Sequence, residues 1–220
     1  MELRTCNAGA SGIPGLTGLL NAKETRQRQE RMRLLEWLKW RGAPSEDRHL
    51  REWRRAWADA VAAPDSERIR RLRADLDALG RAPDDIEIER EMLDALHDAA
   101  ELATAVRQAG LPLVATGHRV VGVESCHYTA PASMPDEPGQ PGGRLLLTSG
   151  RAIFVGGVNR IATPWHSIGD TSLVQRDVVL IRADREQLYR FRCNSYSDAL
   201  RGAFIARELV EARRRPRPGL

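Results

Sequence analysis

The residues of this sequence best suited to nucleophilic or metal chemistry are His118, Cys126, His127, His166 and Cys193. Thiolate and imidazole make both the Cys–His nucleophile and the zinc site. Spacing works against either here. Cys126 and His127 are adjacent, and on a strand adjacent side chains leave by opposite faces. Cys193 alternates in step with Tyr189 and Phe191 and reads as a small core residue. His166 stands at a corner, where it suits a surface or a core. With Cys6 the cysteines number three, widely spaced and without a CxxC pair, so no zinc site or disulfide framework is indicated. No set of base, nucleophile and orienting group can be assembled. The expectation is no catalytic residue, no metal, no cofactor and no enzymatic activity.

Phosphate chemistry is the next to test. NAGASGIPGLTG, residues 7–18, is glycine-rich but lacks the Gly-Lys-Ser/Thr of a P-loop, and no strand precedes it. AKETRQRQERMRLLEWLKWRG (22–42) and HLREWRRAWADA (49–60) mix arginines with tryptophans, as nucleic-acid surfaces do. Glu24, Glu30, Glu36, Glu46, Asp47 and Glu52 are interleaved with those arginines, which reads as solvated ion pairs. The tryptophans recur at helical steps, which favours packing. Nucleic acid therefore ranks third among the partners considered.

The elements that must position these residues fall into two halves. The chain has 220 residues, enough to bury a substantial core, and its 42% hydrophobic content suits a globular protein. A net charge of +4 permits an anionic partner without requiring one. No signal peptide or membrane span is visible, and the cysteine usage suits a reducing, cytoplasmic setting. After a Gly-rich lead (1–21), residues 22–110 read as about four helices. Leu34, Leu35, Trp37, Leu38 and Trp40 mark the first, and Leu50, Trp53, Trp57, Ala60 and Val61 the second. Ile69, Leu72, Leu76 and Leu79 mark the third, which Gly80 closes. Asp84 and Glu87 resemble a capping box opening the fourth, with Met92, Leu96, Ala99, Ala103 and Val106 on one stripe.

From Leu111 the period changes to two. Residues 118–128, 144–148, 151–156, 158–163, 172–182 and 187–193 read as strands. SYSDALRGAFIARELVEARR (195–214) reads as a helix capped by Asn194 or Ser195, followed by a basic, Pro-containing tail. The fold class is α+β.

GRLLLTSGRAIFVGG (143–157) resembles the Gly-x-Leu-x-Leu-Thr, two-residue turn, Arg-x-Ile-Phe-Val hairpin of GRAM and bacterial PH-like domains. Gly143, Leu145, Leu147, Thr148, Arg151, Ile153, Phe154 and Val155 stand at the matching places. IATPWHSI (161–168) is similar to that family's Ile-x-x-Pro-x-x-x-Ile corner, and the LYRFRCN hairpin and terminal helix follow in order. The resemblance spans roughly residues 115–213, about half the chain, within a domain taken as 111–213. It implies a pleckstrin-homology superfold, an antiparallel barrel or sandwich closed by a C-terminal helix. It also implies a binding module for lipid headgroups or protein segments, without catalysis of its own.

Phosphoinositide-binding PH domains carry cations around their first inter-strand loop. The corresponding PASMPDEPGQPGG (131–143) has Asp136 and Glu137 and no basic residue, which would repel a polyphosphate. A protein partner is therefore preferred. A peripheral role at an anionic membrane comes second, carried by Arg144, Arg151, Arg160, Arg190 and Arg192 with the Arg213–Arg215 tail. With a loop at 183–186, Asp177 faces Arg192 and Val179 faces Arg190 across the last hairpin.

The partner surface is sought in apolar residues left over by the fold. In the last helix Tyr196, Ala199, Leu200, Ala203, Phe204, Ala206 and Val210 form the face expected on the sheet. Ile205 and Leu209 fall opposite, and Val179, Ile181 and Leu188 lie on the back of the sheet. These five are the candidate partner-binding residues, to be covered by the N-terminal helices or by another protein. In the 143–157 hairpin, Leu147 opposes Ala152, Leu145 opposes Phe154, Leu146 opposes Ile153 and Arg144 opposes Val155. Both of its faces are apolar and call for cover.

Overall fold

Tryptophans at i and i+4 begin the described part of the chain, which in this computed structural model comprises residues 48–157 and 159–214. The glycine-rich lead, the expected helix over 22–41 with Trp37 and Trp40, and the tail from Arg215 lie outside it. Helix α1 (Arg48–Ala62) buries Trp53, Trp57 and Ala60 along one stripe. Each indole finds a distant carbonyl. Trp53 Nε1 donates to Leu72 O at 2.8 Å and Trp57 Nε1 to Met92 O at 2.7 Å. The two tryptophans are therefore packing residues, and their indoles are unavailable for stacking on bases.

Asp65 caps α2 (Ser66–Ala78), accepting from Arg68 N at 2.9 Å. Gly80, at φ +61°, ends it in the left-handed conformation that the sequence led us to expect there. Pro83–Ile86 forms a 3-10 turn, and α3 (Glu87–Ala109) follows. Glu89, 1% exposed, is held by Arg54 Nε at 2.8 Å, which ties α3 to α1.

Seven antiparallel strands make one sheet in the order β4-β3-β2-β1-β7-β6-β5. They are β1 (Cys126–Ser133), β2 (Gly142–Thr148), β3 (Arg151–Gly156), β4 (Asn159–Pro164), β5 (Ile168–Val174), β6 (Asp177–Arg182) and β7 (Gln187–Cys193). The sheet is not closed into a barrel, so β4 and β5 are edges. The β2–β3 pairs are Arg144↔Val155, Leu145↔Phe154, Leu146↔Ile153 and Leu147↔Ala152, as the alternation required. The pairs Asp177↔Arg192 and Val179↔Arg190 also form as expected.

Two strand assignments change. Of the strand expected over 118–128 only the end forms: Arg119–Val121 is a 3-10 turn and β1 begins at Cys126. The expected single strand over 172–182 is two, because Gln175 turns the chain at φ +56°. The polar trio Gln175-Arg176-Asp177 interrupts the apolar alternation there, and the preceding strand begins earlier, at Ile168.

The hairpin is covered on both faces by its own chain. Leu145, Leu147, Ala152 and Phe154 join the main core. On the outer face Leu146, Ile153 and Cys126 are capped by Val121, with Val114 and Val120 packed beside it. Val114 N donates to Cys126 O at 2.8 Å and fastens this cover.

The last helix, α4 (Tyr196–Arg214), lies between sheet and helices. Ile205, Ala206, Leu209 and Val210 enter the sheet core, while Leu200 and Tyr196 pack with Trp53, Trp57 and Leu96. Ala206 and Val210 face the sheet as expected, with Phe204 packed beside them, but Ile205 and Leu209 join them there and Leu200 and Tyr196 turn to the helices. Apolar residues surround α4, as they do in a helix buried on two sides, so its wheel alone does not say which face meets the sheet. Carboxylates of α3 serve its first turn. Glu91 Oε1 accepts from Tyr196 N at 2.7 Å, and Asp98 accepts from Ser197 Oγ at 2.5 Å. Ser195 Oγ caps Asp198 N at 3.1 Å. The described residues from His49 to Arg214 form one compact unit.

Candidate functional site

The candidate thiols and imidazoles do not converge. Cys126 and Cys193 are both buried, in separate clusters on opposite sides of the sheet. Burial pushes the Cys193 thiol up to about 11 and raises that of Cys126, the opposite of an activated nucleophile. His127 occupies a bulge in β1 and its Nδ1 lies 2.8 Å from Pro112 O. His166 is exposed. Among the described residues no three His, Cys, Asp or Glu side chains gather where they could hold a metal ion.

The candidate cations are scattered, and three have carboxylate partners. Asp177, 1% exposed on β6, accepts from Arg192 Nε at 2.9 Å and from Arg190 Nε at 2.5 Å. Asp177 also raises the Arg192 guanidinium further above its ordinary value. The acidic loop leans on the same pair. It is shorter than 131–143, running over residues 134–141 because β1 continues to Ser133 and β2 begins at Gly142. Its Asp136 accepts from Gln187 Nε2 at 2.7 Å and stands 3.9 Å from Arg190 Nη1. Arg151 lies 3.2 Å from Glu124, whose other oxygen takes the Thr148 hydroxyl. Arg144 and Arg160 flank Val155 on neighbouring strands, and Arg144 reaches Thr129 Oγ1 at 3.4 Å. The five do not form one anion pocket.

The candidate partner-binding residues are also relocated. Ile205 (1% exposed) and Leu209 (5%) are sealed beneath the sheet and present no outer surface. Val179, 5% exposed, lies in register with Arg190 and with Ser172. Leu188 packs on the main core, and Ile181 is half-buried beside the irregularity at Leu180/Ile181. Burial inside the fold is what these apolar positions reflect.

What the structure offers instead is a cleft beside the β5 edge. It is lined by Val61 and Pro64 at the end of α1, by Thr171, Ser172 and Leu173 of β5, and by Phe204 and Arg207 of α4. Arg207 stacks on Phe204, with Cζ 5.5 Å from the ring centroid, and pairs with no carboxylate among the described residues. One end of β5 is closed. Arg214 donates to Gly169 O, and Gly169 sits so near Ala183 that an added Cβ would lie 2.5 Å from its Cα. Residues 170–174 remain, bonded to β6 on one side only.

Reading 172–182 as one strand hid this edge, and assigning Phe204 wholly to the sheet face hid its share in the cleft. The polar break at Gln175 was the one available signal.

No family model matches the chain, and no curated protein matches it. Among solved structures it is similar to the linker-DH/PH domains of p115-RhoGEF. That likeness has a TM-score of 0.38 and 9% identity, over 91% of this chain and 68% of that one. It is also similar to the DH/PH fragment of PDZRHOGEF in the complex with human RhoA (TM-score 0.36, 14% identity, 88% of this chain and 64% of that one). A C-terminal domain of an unknown protein from Leishmania infantum matches 41% of this chain over 89% of its own, at a TM-score of 0.35 and 9% identity.

Proposed function

We propose that this chain is a non-catalytic binding module, an adaptor or regulatory protein of PH-like design, that takes an extended acidic segment of a partner protein along β5. The open stretch at residues 170–174 beside the cleft carries this reading. An edge strand offers unpaired N–H and C=O groups to an added strand, and a flanking cleft takes alternate side chains. Val61, Leu173 and Phe204 suit an apolar side chain, and Arg207 suits a carboxylate. A reducing, cytoplasmic location fits the buried, unpaired thiols Cys126 and Cys193.

The test is selection from a random peptide display library on the full chain, followed by hydrogen exchange with the selected peptides. Peptides pairing an apolar residue with Asp or Glu should protect amides at 170–174. Arg207→Glu, which reverses the charge, and Ala58→Phe, which fills the cleft from the α1 side that Ala58 lines, should abolish binding with unchanged melting temperature. Selected peptides that bind both variants as well as the wild type, or protect a different strand, would overturn the reading.

A further inference from the structure

Resting on the β5 reading above, we propose that the segment taken along β5 carries two carboxylates four residues apart, with an apolar side chain midway between them. A second cation supports this. Arg176, exposed in the turn between β5 and β6, lies over the Tyr196 ring with Cζ 5.9 Å from its centroid. Its Nη1 donates to Asn194 O at 2.9 Å. Arg207 lies over Phe204 in the same manner. A ring face and a carbonyl orient a guanidinium without neutralising it. Neither arginine pairs with a carboxylate among the described residues. The carboxylate that comes closest to Tyr196, that of Glu91, is engaged by Tyr196 N.

The spacing follows from α4. Helix and strand run side by side in opposite directions: Arg214 at the end of α4 bonds Gly169 O, and Tyr196 and Leu200 near its start share a cluster with Leu173. Tyr196, Leu200 and Phe204 recur every fourth residue, so they form one stripe with about 6 Å between neighbours along the axis. Side chains on one face of a strand recur every second residue, at about 6.7 Å. A strand laid along β5 therefore keeps step with this stripe, two of its residues to four of the helix. Its middle side chain meets Leu200, Leu173 and Val61 in the cleft, whose volume is about 200 Å³. The side chains two residues to either side then come over Tyr196 and Phe204, where Arg176 and Arg207 stand. Asp170 does not oppose them. It is out of phase with Leu173 and leaves by the other face, with Oδ1 accepting from Thr171 N at 2.8 Å. The pattern reads alike from both ends, so it suits an added strand of either direction.

The experiment is fluorescence anisotropy of the full chain with labelled, end-blocked peptides built on Glu-Thr-Leu-Thr-Glu between Ser-Gly and Gly-Ser ends. Changing either Glu to Gln should weaken binding about fivefold, and changing both about twenty-fivefold. The isomer Thr-Glu-Leu-Glu-Thr has the same charge but sends its carboxylates to the other face, so it should bind as weakly as the double Gln peptide. Arg176→Gln should abolish the preference for one Glu and keep the other, and Arg207→Gln should do the converse. Arg144→Gln should bind like the wild type. The two readings fail separately. Equal binding of the two isomers, or an Arg176→Gln protein that still distinguishes Glu from Gln at both positions, would overturn the second anchor. So would failure of the parent peptide where library-selected peptides protect amides at 170–174, and in each of these cases the β5 reading would survive. Protection of a different strand by every bound peptide would overturn both.

Discussion

Tyr128 of β1 and Gly202 of α4 meet so closely that a Cβ added to the glycine would lie 3.0 Å from the tyrosine Cζ. The phenol cannot swing aside, because its hydroxyl donates to Asp198 O at 2.7 Å. Gly202→Ala should therefore destabilise by about 1 kcal/mol, overpacking outweighing the gain in helix propensity. Tyr128→Phe removes one of the crowded atoms, so the double variant should lose less than the sum of the two singles. A double-mutant cycle by urea denaturation measures this, and strict additivity would contradict the contact.

Asp177 holds two arginines from the next strand while itself almost fully buried. Asp177→Asn should cost roughly 2 kcal/mol, at or below the low end for a broken buried pair because both arginines reach water. Arg192→Ala should cost less, since Arg190 remains. The ratio of the two losses, read from denaturation midpoints, tests which partner anchors the pair.

Ile205→Asp and Leu209→Asp should each unfold the chain, since either places a carboxylate in the sheet core. Circular dichroism would show the loss directly. A folded Ile205→Asp protein would mean that α4 is turned the other way.

Alkaline pH should destabilise the protein through groups that keep their protons when folded. Burial raises the Cys193 thiol from 9.0 to about 11, and it raises Tyr128 and Tyr196 above the usual phenol value. Between the unfolded and folded values the native state binds more protons than the unfolded chain, so stability falls as pH rises. The Cys193 contribution should be whole below pH 9 and lost as pH approaches 11. Stability measured at pH 8 and at higher pH checks the sign, and a Cys193→Ser background should flatten the first part of the slope.

Trp57→Phe should cost roughly 1 to 2 kcal/mol, because the Met92 carbonyl loses its buried donor while most of the ring contact survives. Its edge-on contact with Tyr196, 5.7 Å between centroids, should weaken as well. Thermal unfolding of the single variant is sufficient.

Period and turn chemistry made much of this fold legible in advance. The β2–β3 and β6–β7 registers follow from a two-residue turn at Ser149-Gly150 and a four-residue loop at 183–186. Trp53, Trp57, Ile69, Leu72 and Leu76 fell on stripes that are buried. The candidate site was not legible. A wheel drawn for α4 cannot say that two bodies compete for it. Nor does apolar alternation distinguish Val179, covered in the sheet, from Leu173, which lines a cleft. Ionic partners from distant segments, such as Glu124 on Arg151, leave no local signature.

Helix α4 contributes side chains both to the core under the sheet and to the core among the helices. On the ribosome it emerges after every strand and helix that it covers. Neither core can close until about residue 210 has left the exit tunnel, so no earlier portion of the described chain carries a complete interior of its own. Nascent chains shorter than that should remain chaperone substrates, and a premature stop within α4 should yield a degraded protein in place of a shortened active one.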